Sequence, residues 1–272
     1  MRVLLCQPDY IRITGKRNYW MDRKIQPDSD IARIQWQEIL KLYLELGVKV
    51  WFIDPKRDLE DMCFTANAGW YRRGKFVLSN FRYPMRQAER YFHLQWFNDH
   101  IATLGIEVVY LPEKVLFEGQ GDVVAVGEEA VLVGYGFRTH RQAAREISRL
   151  FDLGDTVKSV RLVDPRFYHL DTCCFYIPAA NLFLWYPSAF DEKARQLIRS
   201  FSCEKLEVTE AEAENFVCNA VFIDSTIIMN EPSERITQEL EARGFMIRAV
   251  NTSEFKKSGG SVRCLTLFLP EK

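Results

Sequence analysis

Residues 122–163 have the sequence DVVAVGEEAVLVGYGFRTHRQAAREISRLFDLGDTVKSVRLV. Apolar and polar side chains alternate on both sides of the Gly-Glu-Glu step at 127–129, which predicts a β-hairpin. A helix is expected from about residue 141 to 151, and the apolar run at 159–163 favours a further strand. This stretch therefore predicts one strand–strand–helix–strand unit of an α/β fold.

The same order of elements recurs along the chain. Strand-like runs such as VLLCQ (3–7) and VKVWFID (48–54) flank a helix near 28–47, and glycines at 47, 105 and 244 follow three predicted helices. The units repeat in shape about every 50 residues without repeating in sequence. No linker or low-complexity segment interrupts them, so a single domain is predicted over residues 1–272.

The first long helix carries its own start signal. Its N-terminal cap is expected within residues 28–30, which contain two aspartates and a serine. Ile31, Ile34, Ile39 and Leu42 recur at helical spacing and indicate the apolar face of this helix.

The composition is that of a nearly neutral globular protein. Of the 272 residues, 47% are apolar and 13% aromatic, which is enough for a sizeable core and excludes disorder. Lysine and arginine number 36 against 37 aspartates and glutamates, a formal net charge of −1. This balance provides no electrostatic footprint for nucleic acid or an anionic membrane.

Seven cysteines stand at positions 6, 63, 173, 174, 203, 218 and 264, without a C-x-x-C pair. Their odd number and scattered positions do not indicate a disulfide framework. The N-terminal MRVLLCQPDY lacks the features of a signal peptide, and no apolar run reaches the ~18 residues of a bilayer span. We expect a cytoplasmic protein with reduced thiols and no membrane partner.

One of these cysteines follows a glycine pair near the C-terminus. SGGSVRCLT spans residues 258–266, with Gly259 and Gly260 ahead of Cys264 and an apolar strand-like run behind it. A thiol at such a junction is either a small core residue or a nucleophile at the mouth of a pocket. The stretch alone fits both interpretations.

FYHLDTCCFY, residues 167–176, brings a histidine close to an aspartate. In an extended strand His169 and Asp171 would point to the same face. Histidine is suited to proton transfer at neutral pH, although a histidine among aromatic residues is also a common core residue. The four histidines of the chain show no ligand spacing, so no metal is predicted. Cys173 and Cys174 are expected to pack within a strand.

Further polar residues stand in segments beside predicted strands. FEGQGDVV (117–124) places Glu118 and Asp122 around two glycines, which fits either a polar turn or a close backbone approach to a ligand. It lacks a phosphate-binding motif. Arg86 and Arg138 lie after strand-like runs, where an arginine either binds a carboxylate or is solvated.

These residues occur in an informative order. A glutamate, a His-x-Asp step and a late cysteine resemble the guanidine-modifying enzymes of the pentein superfamily. The motifs NYWM (18–21), FTANAG (64–69), FEG-x-GD (117–122), GYG-x-RT (134–139) and HLDT (169–172) are similar to the amidinotransferase-type arginine dihydrolase domain of cyanobacterial proteins. The resemblance covers almost the whole chain.

The resemblance implies a fold. Members are five-bladed α/β propellers of ββαβ modules around a polar channel, which agrees with the repeated units described above. The cyanobacterial proteins carry a second, ornithine-processing domain after this one, and the 272 residues of this chain do not include it.

The resemblance also implies a catalytic set. Cys264 is the expected nucleophile, and His169 is the expected acid and base. Glu118 is expected to hydrogen-bond His169, and Asp171 to hold the guanidinium. No metal or organic cofactor is expected, and the only partner expected is a small guanidino substrate.

Asn67 stands where many deiminases of the superfamily have a second guanidinium-binding aspartate, and related dihydrolases use asparagine. Arg86 and Arg138 match positions that bind the α-carboxylate or line the pocket, and Asn18 matches another pocket residue. The implied function is an arginine dihydrolase that yields ornithine, carbon dioxide and two ammonia molecules.

Alternatives stay open at the level of sequence. A dimethylarginine dimethylaminohydrolase or an arginine deiminase would stop at citrulline. An amidinotransferase and a non-catalytic ribosome-binding pentein are further alternatives. The oligomeric state and the role of Asp122 are left open by the sequence.

Overall fold

The computed structural model describes residues 1–271, which form five three-stranded β-sheets. In each sheet the middle strand pairs antiparallel with one neighbour and parallel with the other. The strands of this part of the chain are β1 (Arg2–Cys6), β2 (Lys49–Ile53), β3 (Gly69–Arg72), β4 (Lys75–Leu78), β5 (Glu107–Tyr110), β6 (Val123–Val126), β7 (Ala130–Tyr135), β8 (Val157–Arg161), β9 (Cys174–Ile177), β10 (Leu182–Trp185), β11 (Glu204–Glu207), β12 (Val221–Ile223), β13 (Thr226–Asn230), β14 (Met246–Val250) and β15 (Leu267–Leu269).

Four sheets are built from consecutive strands, β3 to β5, β6 to β8, β9 to β11 and β12 to β14. The fifth has the order β15–β1–β2 and so joins the two ends of the chain, with Arg2 opposite Leu269. Each sheet is one blade. The predicted five-bladed α/β propeller of ββαβ modules is confirmed.

Parallel strands require a crossover, and a helix supplies it in every blade. The helices of the described residues are α1 (Ser29–Glu45), α2 (Pro84–Gln87), α3 (Glu89–Leu104), α4 (Gln142–Phe151), α5 (Glu192–Ser200), α6 (Glu210–Glu214), α7 (Glu234–Glu241) and α8 (Ser253–Lys257). The helices α6 and α8 lie outside the crossovers, shortly before β12 and β15. Within residues 1–271, no helix combines the length and the apolar character needed to cross a bilayer.

Residues 122–163 fold as one complete blade. Val126 lies opposite Ala130 across the predicted turn, and Gly127 has a left-handed φ of 51° there. The helix α4 occupies the predicted helical segment. The strand β8 begins at Val157, two residues before the predicted strand. The predicted strand–strand–helix–strand unit is therefore confirmed.

The helix α1 begins as predicted, but it buries only Ile39 and Leu42 of the four residues predicted for its apolar face. The side chain of Asp28 accepts hydrogen bonds from the first backbone amides of the helix. Ile39 is buried, whereas Ile31 and Ile34 are 45% and 66% exposed. Leu42 is also buried, as predicted. The rest of the buried face runs through Ala32 and Trp36, and Ile34, two positions from each of them, lies on the opposite side of the helix.

Burial differs among the three strands of a blade. Every residue of the middle strands β10 and β13 is buried, whereas the outer edge strands β5 and β14 are partly exposed. On the opposite edges, β6, β9, β12 and β15 all contribute to the wall of one cavity. These edge strands therefore face the centre of the propeller, and the segments that precede them converge there.

Candidate active site

The segment before each inner edge strand brings at least one buried polar side chain to the centre. Each of these residues is at most 2% exposed. The side chains are Asn67 before β3, Glu118 before β6, His169 and Asp171 before β9, Asn219 before β12 and Cys264 before β15. The structure therefore brings together residues that lie far apart in the sequence, one segment from each blade.

The segment that holds His169 and Asp171 is not extended, contrary to the interpretation from sequence. Residues 170–172 form a single turn of 3₁₀ helix before β9 begins at Cys174. The turn closes with the Thr172 hydroxyl donating to the carbonyl oxygen of His169. As a result, His169 contacts Glu118 while Asp171 contacts Cys264.

Glu118 is a buried carboxylate with three partners. Its Oε2 lies 2.9 Å from His169 Nε2 and accepts a hydrogen bond from Arg138 Nη1 at 2.7 Å, and its Oε1 accepts from the backbone amide of Arg82. Burial by itself would raise its pKa, but the charge of Arg138 and the bond to His169 outweigh burial and hold the pKa below its usual range. Glu118 is therefore ionised.

For His169, the effect of burial is larger than the opposing effect of Glu118. Burial therefore lowers the pKa of the imidazole to about 4. The ring is consequently neutral at neutral pH. Its Nε2 points to Glu118, while the buried Nδ1 has no hydrogen-bond partner among residues 1–271. Nδ1 is thus the nitrogen free to exchange a proton with a substrate.

Asp122, whose role the sequence left open, connects the segments of Glu118 and His169 through hydrogen bonds. Its carboxylate accepts hydrogen bonds from the Thr139 hydroxyl at 2.6 Å and from the Leu170 amide at 3.2 Å. The same Thr139 oxygen accepts from the backbone amide of Glu118. Burial raises the pKa of Asp122 well above its ordinary value. Asp122 thus links the segment of Glu118 to the turn of His169.

Cys264 lies between an amide and a carboxyl group. Asn219 Nδ2 donates to its Sγ at 3.1 Å, and the thiol donates to Asp171 Oδ2 at 3.4 Å. Asn219 Oδ1 accepts from the backbone amides of Ser261 and Cys264. Burial, assisted by the negative charge of Asp171, raises the pKa of the Cys264 thiol well above its ordinary value, and burial raises that of Asp171 to about 7.

Asn219 is a functional candidate that the sequence analysis missed. It stands in VCNAVFID as a lone amide between apolar residues, two positions before β12. Asn67 stands two positions before β3, in the equivalent place of another blade. That shared offset is the signal that could have identified it.

Asn67 is oriented by a buried arginine. Arg86 Nη1 donates to Asn67 Oδ1 at 2.9 Å, and Arg86 makes two hydrogen bonds of 2.8 Å to Glu89. A guanidinium carries only donors, so the amide oxygen must face Arg86 and the NH₂ group must face away. A β-carbon placed on Gly121 would lie 2.4 Å from Asn67 Nδ2 and 3.2 Å from His169 Nδ1. The NH₂ group therefore borders the same space as the free imidazole nitrogen, and it makes one long hydrogen bond, of 3.5 Å, to the backbone carbonyl oxygen of Glu118.

A pocket of about 430 Å³, which we call the front pocket, adjoins this centre through Arg138, which donates a hydrogen bond to Glu118. Arg138 and Asn18 both line it, as does Tyr168. The guanidinium of Arg138 lies 4.8 Å from the ring of Tyr83 and 4.6 Å from that of Tyr168, and its buried Nε has no partner among residues 1–271. Arg86 is 3% exposed and does not line the front pocket, so neither predicted arginine is solvated.

Asn18 fixes the loop beside the glycine pair. Its Nδ2 donates to the carbonyl oxygen of Ser258, and its Oδ1 accepts from two backbone amides of its own loop. Gly259 has a left-handed φ of 85°, and a β-carbon there would lie 2.7 Å from Asn18 Nδ2. Glycine is therefore required at this position for both its conformation and the space that it leaves.

The arrangement suits nucleophilic attack on a planar cation. It offers a thiol, a neutral imidazole with one free nitrogen, an ionised glutamate behind that imidazole, and an aspartate beside the thiol. Within residues 1–271, no three histidine, cysteine or acidic side chains are grouped as a metal site would require.

The sequence family described as N,N dimethylarginine dimethylhydrolase, eukaryotic, matches residues 13–269. The chain is 37% identical to the bifunctional arginine dihydrolase/ornithine cyclodeaminase AgrE of Nostoc sp., over 100% of this chain and 38% of that protein. It is 35% identical to the N(G),N(G)-dimethylarginine dimethylaminohydrolase of Mycobacterium tuberculosis, over 98% of this chain and 85% of that protein.

The crystal structure of a variant of the N-terminal domain of ArgZ, covalently bound to a reaction intermediate, has the same fold. The TM-score is 0.92 at 35% identity, over 99% of this chain and 98% of that domain. The chain thus spans less than half the length of AgrE but nearly all of the ArgZ domain. Because the sequence family matches residues 13–269, the chain belongs to the dimethylarginine dimethylaminohydrolase family.

Proposed function

We propose that the chain is an arginine dihydrolase that hydrolyses L-arginine to ornithine, carbon dioxide and two ammonia molecules, with Cys264 as the nucleophile. The observation that carries this proposal is the neutral amide of Asn67, which Arg86 holds with its NH₂ group toward the space beside His169. The chemistry of related hydrolases supports it, since AgrE and ArgZ are arginine dihydrolases and the ArgZ domain forms a covalent intermediate.

The first round converts the guanidino group to a ureido group. The sulfur of Cys264 attacks the guanidino carbon, and a carbon–sulfur bond forms. His169, neutral in the free protein, accepts the thiol proton and passes it to the nitrogen that leaves as ammonia. Water then adds to the same carbon, the carbon–sulfur bond breaks, and citrulline remains in the site.

The substrate itself promotes this attack. In the free protein the Cys264 thiol is protonated, because burial and Asp171 both disfavour the thiolate. A guanidinium bound between the thiol and Asp171 places a positive charge beside the sulfur, and this charge favours the thiolate. Asp171 Oδ1, which has no partner among residues 1–271, is available to accept hydrogen bonds from the edge of the guanidinium.

The second round begins from a neutral ureido group, which differs from guanidinium in carrying an acceptor oxygen. The NH₂ group of Asn67 faces the centre and can donate to that oxygen. A second attack by Cys264 releases the second ammonia, and a second water frees the sulfur and leaves a carbamate. The carbamate then breaks down to ornithine and carbon dioxide.

At the other end of the substrate, Arg138 is positioned to bind the α-carboxylate. It lines the front pocket and retains a free, buried Nε donor. Asn18 shapes the wall of the same pocket. Arg86, for which the family resemblance implied a role at the carboxylate or the pocket wall, donates its hydrogen bonds to Glu89, Asn67 and a backbone carbonyl, and we assign it to the orientation of Asn67.

Dimethylarginine dimethylaminohydrolase is the second candidate function. The 35% identity to the Mycobacterium tuberculosis enzyme, over 85% of its length, is the observation that favours it. The same catalytic set would then release dimethylamine in a single round and stop at citrulline.

One experiment tests both candidates. The purified protein is incubated separately with arginine, dimethylarginine, agmatine and citrulline, and ammonia, dimethylamine and amino acids are quantified. We expect two ammonia molecules and one ornithine for each arginine consumed. Citrulline from dimethylarginine without turnover of arginine would establish the second candidate, and the absence of turnover of all four compounds would refute both.

A further inference from the structure

A second cavity, which we call the rear cavity, has a volume of about 290 Å³ and shares no lining residue with the front pocket. Its walls come from the inner edge strands β6, β9, β12 and β15 of four blades. The same strands surround the centre of the propeller, and one central polar residue, Asp171, is part of the wall of the rear cavity.

Asp171 connects the rear cavity to the catalytic cysteine. Its Oδ2 accepts the hydrogen bond from the Cys264 thiol at 3.4 Å, and the same side chain lines the rear cavity. The side chain is buried, and its other oxygen, Oδ1, has no hydrogen-bond partner among residues 1–271. A single carboxyl group therefore lies against both the nucleophile and the rear cavity.

The proposed reaction needs a second opening. In each round one water must reach the carbon bound to Cys264 and one ammonia must leave. During both rounds the amino-acid end of the substrate remains in the front pocket, because the same molecule is hydrolysed twice. A site with the front pocket as its one opening would be closed by its own substrate.

The chemistry of the rear walls suits small neutral molecules. Val124, Phe175 and Phe222 present apolar surface, which offers no hydrogen bonds to retain ammonia or carbon dioxide. Arg263 also lines the rear cavity, with its guanidinium 4.8 Å from the ring of Phe268. Its positive charge disfavours the approach of cationic arginine or ornithine from this side.

We propose that the rear cavity is the passage through which hydrolytic water reaches Cys264 and ammonia leaves, along the side chain of Asp171. This inference rests on the proposed function. It assigns the two cavities to different molecules: the amino acid uses the front pocket, and water and ammonia use the rear cavity.

The test uses substitutions that narrow the rear cavity and leave Cys264, His169, Glu118 and Asp171 unchanged. Ala125 is exposed and lines the rear cavity, so Ala125→Trp places an indole at its mouth. Ala125→Ser is the control for the position, and Ala102→Trp, at an exposed site of α3, is the control for an added indole. Phe222→Trp narrows the rear cavity from another blade and serves if Ala125→Trp does not fold.

For Ala125→Trp we expect kcat for ammonia release to fall about fivefold, with KM for arginine unchanged, because access from the rear becomes limiting. The fraction of product released as citrulline should also rise, since citrulline has longer to dissociate before the second water arrives. Both controls should match the parent protein in all three quantities.

Equal kcat and equal product ratios in folded Ala125→Trp, Phe222→Trp and the controls would overturn the passage while leaving the dihydrolase proposal intact. A parent protein that releases citrulline alone would refute the dihydrolase proposal, and the passage would still be judged by the rate of its single ammonia release. A parent protein that releases no ammonia from any of the four compounds overturns both.

Discussion

His169 Nε2 lies 2.9 Å from Glu118 Oε2, while His169 Nδ1, on the opposite side of the same ring, has no partner among residues 1–271. The carboxylate therefore determines which nitrogen is available for chemistry. Its charge also opposes the effect of burial, which lowers the pKa of the imidazole to about 4. That opposition is lost when the charge on Glu118 is removed.

Glu118→Gln should therefore lower kcat about 10²–10⁴-fold, because the imidazole loses the charge that favours its protonated form. Glu146→Gln in α4 is the matched control, since Glu146 is buried but pairs with arginines outside the site. Steady-state kinetics with arginine measures both variants, and a kcat of Glu118→Gln within about twofold of the parent would contradict the role of Glu118.

The same substitution should also change stability in a pH-dependent way. The pKa of Glu118 is held below its ordinary value of 4.5, so its ionised form stabilises the folded state above that pH, and the stabilisation is lost as the pH falls further. At pH 7, Glu118→Gln should cost about 3 kcal/mol, because Arg138 loses its buried partner. Chemical denaturation at pH 7 and below pH 4 measures the difference, which should shrink at the lower pH.

Cys264→Ser should abolish turnover, a loss of about 10³-fold or more, because a hydroxyl in this site is a far weaker nucleophile than a thiol. Folding should be retained, since the side chain keeps its size and its neighbours. Cys203→Ser is the matched control, because Cys203 is buried in the core outside the site. Activity retained by Cys264→Ser, with normal thermal unfolding, would remove Cys264 as the nucleophile.

Asp171→Asn should make the Cys264 thiol more reactive but slow the turnover of arginine. The negative charge of Asp171 helps to raise the pKa of Cys264, so its removal should lower that pKa and speed alkylation of Cys264 at pH 8. Turnover of arginine should fall about 10²-fold, because the guanidinium loses its carboxylate partner. Peptide mass spectrometry after iodoacetamide treatment follows the first effect, and slower alkylation would contradict this account.

Asn67→Asp should change the main product from ornithine to citrulline. A carboxylate accepts hydrogen bonds from a guanidinium but has no donor for a ureido oxygen, so the first round should continue and the second should stop. We expect citrulline to accumulate from arginine while ornithine falls about tenfold or more. Asn181→Asp, at an exposed turn, is the control. An unchanged ratio of ornithine to citrulline would show that Asn67 does not select the second round.

Much of the fold was predictable because its signals are local. The hairpin around residues 127–129, the helix that follows it and the cap of α1 at Asp28 depend on neighbours in the sequence. The buried face of α1 depends instead on which residues the rest of the fold brings against it. For that reason the periodic Ile31 and Ile34 proved to be exposed.

The members of the candidate site followed from the family motifs, but their connections did not. Asp171 was expected to share a face with His169, and the 3₁₀ turn sends the two side chains to different partners. Arg86 pairs locally with Glu89, yet it also bonds Asn67, 19 positions away. Contacts between segments of different blades leave no pattern in either segment alone.

The blade formed by β15, β1 and β2 has a consequence for how the proposed site is assembled during folding. Cys264 stands three residues before β15, and β15 pairs with β1, more than 260 positions away in the sequence. A folding intermediate in which β15 has not yet paired with β1 would contain the other residues of the proposed site but would not hold Cys264 in place. Pairing of these two strands is therefore the step expected to make the proposed site reactive.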